Sequence, residues 1–317
     1  MKALIIGISG QDGSYLAELL LKNGYLVIGT SRDLKKNNFS NLEKLNIFKE
    51  VSIVELNILD VAQVEKVIRK HKPDVIYNLS GQTSVGNSFE FVQETYQSIF
   101  NGTLNILDTI KSVNSSIKFF NAGSGEIFGG NSEKFSSEVS PIAPLSPYGV
   151  AKAASLHLVD NYRKSFDIFC CTGITFNHES PLRAEHFVTQ KIIKAAHEIS
   201  NRKKDNLILG NINIKRDWGW APDYVNAMKI MMSADKPDNF VIATGVESSL
   251  KDFIDHSFKF FNLNYLDYLE VSDEFIRKTD FETNGADPSK INNVLGWKHS
   301  YGVNEIVFQM CKSYNYR

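Results

Sequence analysis

The stretch that decides the fold is the N-terminal segment MKALIIGISGQDGSYLAELLLKNGYLVIGTSRD, residues 1–33. An apolar run of strand length, ALIIG, is followed by glycines in GxxGxxG spacing, by a helix with an apolar face and by a second apolar segment, YLVIGT. This order of strand, turn, helix and strand is the context in which such glycines bind a dinucleotide. Glycines let the backbone approach a pyrophosphate, and the N–H groups of the helix N-terminus attract its charge. The alternative is a tight turn without a ligand. We predict that the cofactor-binding residues here are Gly7, Gly10, Gln11, Asp12 and Gly13.

The residues after the second apolar segment bear on the choice of cofactor. NAD-binding proteins usually place a carboxylate there for the ribose 2′-hydroxyl, whereas an arginine accommodates a 2′-phosphate. Here Ser31 precedes Arg32, which favours NADP(H) over NAD(H). Asp33 opposes this interpretation, because a carboxylate repels a phosphate, and Arg32 could instead pair with Asp33 on the surface.

Strand and helix patterns alternate through the first half of the chain. Further candidate strands are VSIVEL, VIYNLS, KFFNAGS and IFCCTGITF, and the candidate helices between them include VAQVEKVIRKH and FVQETYQSIFNGTLNILDTIKSV. This alternation predicts an α/β fold with a doubly wound parallel sheet, a Rossmann fold. After Phe176 the alternation of strands and helices ends. We expect loops at NHESPLRAEH and KRDWGWAPDY, and we expect helices at VTQKIIKAAHEIS and LKDFIDHSFKFF. We predict a dinucleotide-binding domain over residues 1–176 and a smaller, partly interleaved substrate-binding region over 177–317.

Composition argues against several classes of protein. The chain has 317 residues, a formal net charge of -1 and 43% hydrophobic residues. This near-neutral charge gives no reason to expect nucleic acid or an anionic membrane as a partner. No apolar run is long enough to span a membrane, and the N-terminal apolar run is a strand rather than a signal peptide. Cys170, Cys171 and Cys311 do not form a disulfide framework, and no Cys/His spacing indicates a metal. We therefore expect a cytoplasmic protein without a metal.

The pair Tyr148 and Lys152, in SPYGVAKAA, indicates redox chemistry. A helix brings positions i and i+4 onto one face, so Lys152 would lie beside Tyr148. An ammonium there is expected to lower the tyrosine pKa, so that the phenolate takes a proton from a substrate hydroxyl while a hydride leaves the same carbon. Ser124 could bind the same hydroxyl. The alternative is a surface tyrosine and lysine on an ordinary helix.

Longer sequence motifs narrow the choice of protein family. They are GISGQDGSYLAELLL, NLSGQTSVGNSFE, SPYGVAKAA, FNHESPLR, FVTQKI, LGNINIKRDWGWAPDYV, VIATG and DPSK. Together they resemble the GDP-mannose 4,6-dehydratase family of extended short-chain dehydrogenase/reductases, from about residue 3 to Trp297. The resemblance implies that hydride moves from sugar C4 to NADP, that water leaves across C5–C6, and that hydride returns to C6.

Glu126 is the candidate for the second base that this elimination requires. It lies two residues beyond Ser124, and on an extended strand end positions i and i+2 point the same way. Partial desolvation would favour its cycling between base and acid. The alternative is that Glu126 ends a strand and points to water. The resemblance supports the catalytic role, because the family has a glutamate here and commonly a threonine at the position of Ser124.

The resemblance also implies residues for the remaining parts of the ligands. Asn57 and Ile58 would lie near the adenine, where many relatives have Asp in place of Asn57. The diphosphate and sugar would be bound by Ser84, Asn177, Lys191, Arg216 and Arg277. Lys191 could instead be solvated, and Arg216 could form an internal ion pair with Asp217. The loop DLKKNNFSNLEKL is compatible with a subunit contact, and we expect a homodimer or homotetramer.

Three functions remain open from the sequence. The first is a GDP-sugar 4,6-dehydratase acting on GDP-mannose or on a GDP-manno-heptose. The second is a C4 oxidoreductase or epimerase acting on a GDP-sugar, which would use Tyr148 and Lys152 but not Glu126. The third is a non-catalytic dinucleotide sensor, and the intact set of Ser124, Tyr148 and Lys152 argues against it.

Overall fold

The computed structural model describes residues 1–129, 135–275 and 282–314. Its strands are β1 Lys2–Ile6, β2 Leu26–Ser31, β3 Ser52–Glu55, β4 Val75–Asn78, β5 Lys118–Ala122, β6 Phe135–Ser136, β7 Cys170–Thr175, β8 Asn177–Glu179, β9 Leu207–Leu209, β10 Lys215–Trp220, β11 Phe240–Ile242, β12 Glu247–Ser249, β13 Leu269–Val271 and β14 Gly285–Ala286. Its α-helices are α1 Gln11–Lys22, α2 Ser40–Lys44, α3 Val61–His71, α4 Val92–Tyr96, α5 Gly102–Val113, α6 Pro147–Phe166, α7 Val188–Ser200, α8 Ala221–Ser233, α9 Leu250–Phe260, α10 Ser289–Leu295 and α11 Val303–Lys312. A π-helical turn, Gln97–Asn101, joins α4 to α5.

A parallel sheet of seven strands, in the order β11-β7-β5-β4-β1-β2-β3, forms the centre of the molecule. This confirms the predicted doubly wound α/β fold, and all six of the predicted strands lie in this sheet. The chain turns from one half of the sheet to the other between β1 and β4. In such sheets ligands bind beyond the carboxyl ends of the strands at this switch point.

Helices cover both faces of the sheet. On one face α1 and α8 pack together over β1 through buried side chains that include Leu16, Leu20 and Met228. On the other face α3, α5 and α6 supply Ile68, Leu107 and their neighbours. Because parallel strands buried on both faces read as continuous apolar runs, the sheet was predictable from short segments of sequence.

A second layer, built from residues after 176, contains the three-stranded sheet β12-β10-β8. The helices α7, α9 and α11 surround a core that includes Trp218 and Phe253. The expectation that KRDWGWAPDY is a loop was wrong, because β10 is the middle strand of this sheet and α8 follows it directly. The strand carries the buried Arg216 and Asp217, and the Asp217 carboxylate accepts hydrogen bonds from the N–H groups of Thr244 and Gly245. Such distant partners leave no signal in the local pattern.

The later part of the chain also completes the first layer. β11 pairs with β7 in the central sheet, and α8 packs against α1. The predicted boundary at residue 176 therefore does not separate two structural layers. It stays a prediction about which part of the chain binds which ligand. Within the described ranges, no helix is both long enough and apolar enough to cross a membrane.

Candidate active site

A cavity of about 710 Å³ lies at the carboxyl ends of β1, β2 and β4, at the switch point of the sheet. It is lined by residues of the glycine turn and of the segments that follow β2, β3 and β4. These include the predicted cofactor residues Gly7, Gly10, Arg32, Asn57 and Ile58.

The glycine turn fits the pyrophosphate of a dinucleotide. Gly7 has φ +90°, and a Cβ at Gly13 would lie 2.3 Å from the Gly7 carbonyl oxygen, so these two glycines let the turn and α1 pack closely. A Cβ at Gly10 would have the Gly7 oxygen as its nearest neighbour, at 3.5 Å, so the space beside Gly10 is open. The first N–H groups of α1 have no helical acceptor and are available to an anion.

The side chains of Gln11 and Asp12 are turned toward β8. Gln11 Nε2 donates to the His178 carbonyl oxygen at 3.1 Å, and the Ser180 hydroxyl donates to Gln11 Oε1 at 2.7 Å. Asp12 Oδ2 lies 2.9 Å from His178 Nε2. Of the predicted cofactor residues at the start of α1, Asp12 lines the smaller cavity described below, whereas Gln11 and Gly13 line neither of the two cavities.

Arg32 lies at the edge of the large cavity together with Lys36. The alternative in which Arg32 pairs with Asp33 was wrong: Arg32 Nη1 is 3.7 Å from Glu94 Oε1, while the Asp33 carboxylate accepts from the N–H groups of Lys35 and Lys36. The Arg32 side chain is 75% exposed, so its guanidinium is held only weakly.

A second cavity of about 200 Å³ adjoins the first, because both are lined by Leu79, Ser80 and Thr83. It brings together the predicted catalytic residues Ser124, Glu126, Tyr148 and Lys152. Ser84 and Asn177, two of the predicted substrate residues, line it as well.

Two short elements position the catalytic groups. Ser124 caps the 3₁₀-helix Gly125–Phe128, and its hydroxyl accepts from the Glu126 N–H at 3.2 Å. The expected extended strand end is therefore replaced by a helical turn, although Ser124 and Glu126 still line one cavity. Tyr148 lies in the first turn of α6, and a Cβ at the next residue, Gly149, would come within 2.7 Å of the Glu126 carbonyl oxygen. A glycine at this position thus lets α6 approach the glutamate.

The ionisation of Tyr148 differs from the prediction. Burial raises the pKa of Tyr148 to about 12, and a hydrogen bond with Ser124 only partly opposes this effect. Lys152 Nζ is 5.6 Å from the centroid of the Tyr148 ring and donates to the Ala122 carbonyl oxygen at 2.6 Å. Burial lowers the pKa of Lys152 to about 8. Desolvation therefore outweighs the expected effect of the ammonium on the phenol.

The remaining predicted substrate residues lie apart from the small cavity or outside the described residues. Lys191 is exposed on the first turn of α7, near His186. Arg216 is buried in β10 and donates to the Lys215 carbonyl oxygen at 2.7 Å. Arg277 lies outside the described residues.

Sequence reasoning missed two basic residues, Arg183 and His186, which line the small cavity. The Arg183 guanidinium lies 3.6 Å from the centroid of the Phe187 ring, and its Nε is 3.3 Å from Glu179 Oε2. The signal was present in the string ESPLRAEH, where two basic side chains follow the strand that carries Asn177. The Arg183 guanidinium adds positive charge near Tyr148, as an anionic substrate would require, whereas burial lowers the pKa of His186.

A parallel sheet ending at a glycine turn, with a tyrosine and a lysine one helical turn apart beside it, defines the short-chain dehydrogenase/reductase class. The profile of one branch, described as GDP-mannose 4,6 dehydratase, matches residues 4–310. The chain is 39% identical to GDP-mannose 4,6 dehydratase 1 of Arabidopsis thaliana, over 97% of this chain and 88% of that protein. It is 36% identical to the Homo sapiens GDP-mannose 4,6 dehydratase, over 97% and 90% of the two chains. The chain belongs to the GDP-mannose 4,6-dehydratase family.

Solved structures support the fold. UDP-glucose 4-epimerase of Thermotoga maritima superposes with a TM-score of 0.88 at 21% identity, covering 100% of this chain and 99% of that one. dTDP-glucose 4,6-dehydratase of Bacillus anthracis, solved in complex with NAD, gives a TM-score of 0.86 at 19% identity, covering 100% and 97%. At this level of identity the likeness concerns the Rossmann architecture.

Proposed function

We propose that the protein is a GDP-sugar 4,6-dehydratase that converts GDP-mannose or a close relative to a GDP-4-keto-6-deoxy sugar. The observation that carries the proposal is a glutamate, Glu126, in the same cavity as Ser124, Tyr148 and Lys152. A simple C4 oxidoreductase needs only the last three groups. An elimination needs a further group that takes the C5 proton.

The first step is oxidation at C4. Ser124 and Tyr148 bind the C4 hydroxyl, and the Tyr148 phenolate takes its proton. When bound, an oxidised nicotinamide would supply the hydride acceptor for C4 and the hydride donor for C6, and its positive charge would favour the Tyr148 phenolate. Lys152, held on the Ala122 carbonyl oxygen, keeps a second positive charge beside the Tyr148 ring.

The second step is loss of water across C5–C6. A ketone at C4 acidifies the C5 hydrogen, and Glu126 takes that proton. The C6 hydroxyl leaves as water after accepting a proton, which Glu126 can supply in its acid form. When hydride returns to C6, C5 needs a proton, and the proton that Tyr148 took in the first step balances this requirement. Tyr148 is then again a phenolate and Glu126 a carboxylate, as at the start.

Positive charge beside the catalytic cavity supports recognition of the diphosphate. Arg183 and His186 line the cavity, and Lys191 lies near His186 on the first turn of α7. We propose that Asn177, Arg183 and Lys191 face the GDP end of the substrate, together with Arg216 and Arg277. A planar guanidinium suits the geometry of phosphate oxygens.

We propose NADP(H) as the cofactor, because Arg32 and Lys36 both line the large cavity where the segment after β2 passes it. Arg32→Ala is expected to weaken NADP binding by roughly 1.5–3 kcal/mol, the typical contribution of a hydrogen bond to a charged group. NAD binding should change much less. Titration calorimetry with NADP and with NAD measures the loss of affinity for each cofactor in the variant. An equal loss for both would exclude a contact between Arg32 and the 2′-phosphate.

The proposal also assigns a separate role to each of the two parts of the chain. Residues 1–176 supply the cofactor site and the catalytic groups, and residues 177–317 mainly supply the GDP-sugar site. A homodimer or homotetramer and a cytoplasmic location remain predictions. Light scattering on the purified protein measures the subunit number directly.

The decisive assay is incubation of the purified protein with GDP-mannose, and separately with a GDP-manno-heptose, without added reductant. Mass spectrometry is expected to detect a product that has lost one water. Loss of water from the heptose alone would assign the heptose as the substrate. If no GDP-sugar loses water but C4 is oxidised or epimerised, the C4 oxidoreductase function replaces the dehydratase.

Glu126→Gln tests the role of the glutamate. The variant is expected to oxidise C4, seen as a rise in reduced-cofactor absorbance, but not to exchange the C5 hydrogen with deuterated solvent. Glu43→Gln, at an exposed position on α2, is the matched control and should exchange like the wild type. Exchange at the wild-type rate in Glu126→Gln would show that another group is the base.

A further inference from the structure

Four residues join the first turn of α1 to the strand β8 and the residue that follows it. They are Gln11, Asp12, His178 and Ser180, and we refer to them as the clamp. Gln11 donates to the His178 carbonyl oxygen at 3.1 Å and accepts from the Ser180 hydroxyl at 2.7 Å. Asp12 Oδ2 lies 2.9 Å from His178 Nε2. These contacts link segments that are more than 160 residues apart in sequence.

The clamp contains a partly buried pair of titratable groups, His178 and Asp12. His178 Nδ1 lies 2.7 Å from the Phe176 carbonyl oxygen, and Nε2 faces the Asp12 carboxylate. The Phe176 carbonyl oxygen only accepts hydrogen bonds, so Nδ1 carries a proton, and an ionised Asp12 carboxylate accepts a second hydrogen bond from a protonated Nε2. Burial favours neutral forms, but the charge and hydrogen bond of His178 hold the pKa of Asp12 below its usual value, and Asp12 raises the pKa of His178. The imidazole ring also stacks on Tyr224 at 4.5 Å.

The two sides of the clamp adjoin the two ligand sites. On one side, Gln11 and Asp12 follow Gly10, which lines the large cavity, and the Asp12 side chain also reaches the small cavity. On the other side, His178 follows Asn177 in β8, and both line the small cavity. Ser180 is fully buried and extends the contact, because its carbonyl oxygen accepts from Gln190 on α7 and its hydroxyl also accepts from the Leu182 N–H.

We propose that the clamp couples the two ligands, so that binding of the dinucleotide strengthens binding of the GDP-sugar and the reverse. The proposal rests on the proposed function, which assigns these ligands to the two cavities. The dinucleotide orders the first turn of α1, and through the clamp it fixes β8, so the GDP-sugar meets a segment that is already ordered. Such coupling is reciprocal and typically amounts to 5–150-fold in affinity.

The experiment measures the dissociation constant of NADP by titration calorimetry on the full chain, with and without saturating GDP. GDP is the probe because it lacks the sugar and cannot react. In the wild type, GDP is expected to tighten NADP binding at least about fivefold. In Ser180→Ala and Asp12→Asn the factor is expected to fall below about twofold. The first variant removes one hydroxyl, and the second keeps the shape of the carboxylate but not its charge.

Ser257→Ala is the matched control, because Ser257 is also fully buried but donates to the Phe253 carbonyl oxygen within α9. It should keep the coupling of the wild type. A general loosening of the fold would weaken binding of both ligands. It would not change the ratio of the NADP dissociation constants measured without and with GDP, so this ratio reports on the clamp. Wild-type coupling in both clamp variants, or no coupling in a wild type that binds both ligands, would overturn the proposal. Failure of the wild type to bind GDP at all would overturn the proposed function first.

Discussion

At the scale of single residues, the small cavity contains ionisable groups that burial has shifted in opposite directions. The pKa of Tyr148 is raised to about 12 and that of Lys152 is lowered to about 8. Both shifts have desolvation as their largest cause, which disfavours the phenolate and the ammonium alike. Burial alone therefore favours the neutral form of Tyr148 at neutral pH.

Tyr148→Phe is expected to lower turnover by about 10²–10⁴-fold, because the ring still packs but the base is lost. Cofactor binding should persist, since the glycine turn is untouched. Steady-state kinetics and a cofactor titration on the same preparation measure the two properties. Turnover like that of the wild type would remove Tyr148 from the mechanism.

Lys152→Met is expected to stabilise the protein at pH 7 while abolishing turnover. The pKa of Lys152 in the folded protein, about 8, is below the ordinary value of 10.5. Below pH 8 the lysine is therefore protonated in the folded protein although burial disfavours its charge, and this lowers the free energy of unfolding. This lowering amounts to at most about 3 kcal/mol, and it disappears as the pH rises toward 10.5, where the lysine is neutral in both states.

Urea unfolding of Lys152→Met and of the wild type at pH 7 and at pH 10 measures the effect of Lys152. The advantage of the variant should be larger at pH 7. The control is Lys66→Met, on the exposed face of α3, which should show no such dependence. An advantage that grows with pH would contradict the assigned direction of the shift.

At the scale of elements, the turn between β1 and α1 uses its glycines for two different purposes. Gly13 lets α1 pack against the turn, because a Cβ there would lie 2.3 Å from the Gly7 carbonyl oxygen and 2.7 Å from Ile8 Cα. Gly10 leaves space on the ligand side, where the nearest atom to a Cβ is 3.5 Å away. The same residue type therefore serves packing at one position and binding at the other.

A pair of alanine substitutions separates these purposes. Gly13→Ala forces backbone atoms apart and is expected to lower the free energy of unfolding by about 1–3 kcal/mol or more. Gly10→Ala should change stability little, because its Cβ makes an ordinary contact, but it should weaken dinucleotide binding by occupying the open space. Denaturant unfolding and calorimetry measure the two effects. Equal loss of stability in both variants would refute the distinction.

At the scale of the whole molecule, the central sheet depends on both parts of the chain. Its edge strand β11 and the helix α8, which packs on α1, come from residues after 176. The apolar side chains of α8 that cover the core include Val225, Met228 and Met231, all nearly inaccessible to solvent. A chain that ends at residue 176 would leave the part of this face that α8 covers exposed.

The fragment 1–176 is therefore expected not to fold cooperatively, although it contains the predicted dinucleotide-binding domain. Circular dichroism during urea titration should show a broad transition, in contrast to a sharp one for the full chain. The fragment 1–245, which adds α8 and β11, should regain part of the cooperativity. A sharp transition for fragment 1–176 would show that the two parts are independent.

The sequence alone determined the parts of this protein that depend on neighbouring residues. The order of β1, α1 and β2 follows from one segment of 33 residues, and the predicted segments for α3 and α7 coincide with Val61–His71 and Val188–Ser200. These elements repeat at the periods of helix and strand, and their apolar residues lie a few positions apart. The grouping of Ser124, Tyr148 and Lys152 was also indicated by spacing and by resemblance to the family.

Only the tertiary structure decided the features that depend on distant partners. β10 is a strand because β8 and β12 pair with it, and the partner of Arg32 is Glu94 from α4. The pKa of Tyr148 rises because the surrounding chain excludes water, and Arg183 reaches the cavity because β8 returns to α1. Burial and long-range hydrogen bonds are properties of the folded chain, and no local pattern of residues encodes them.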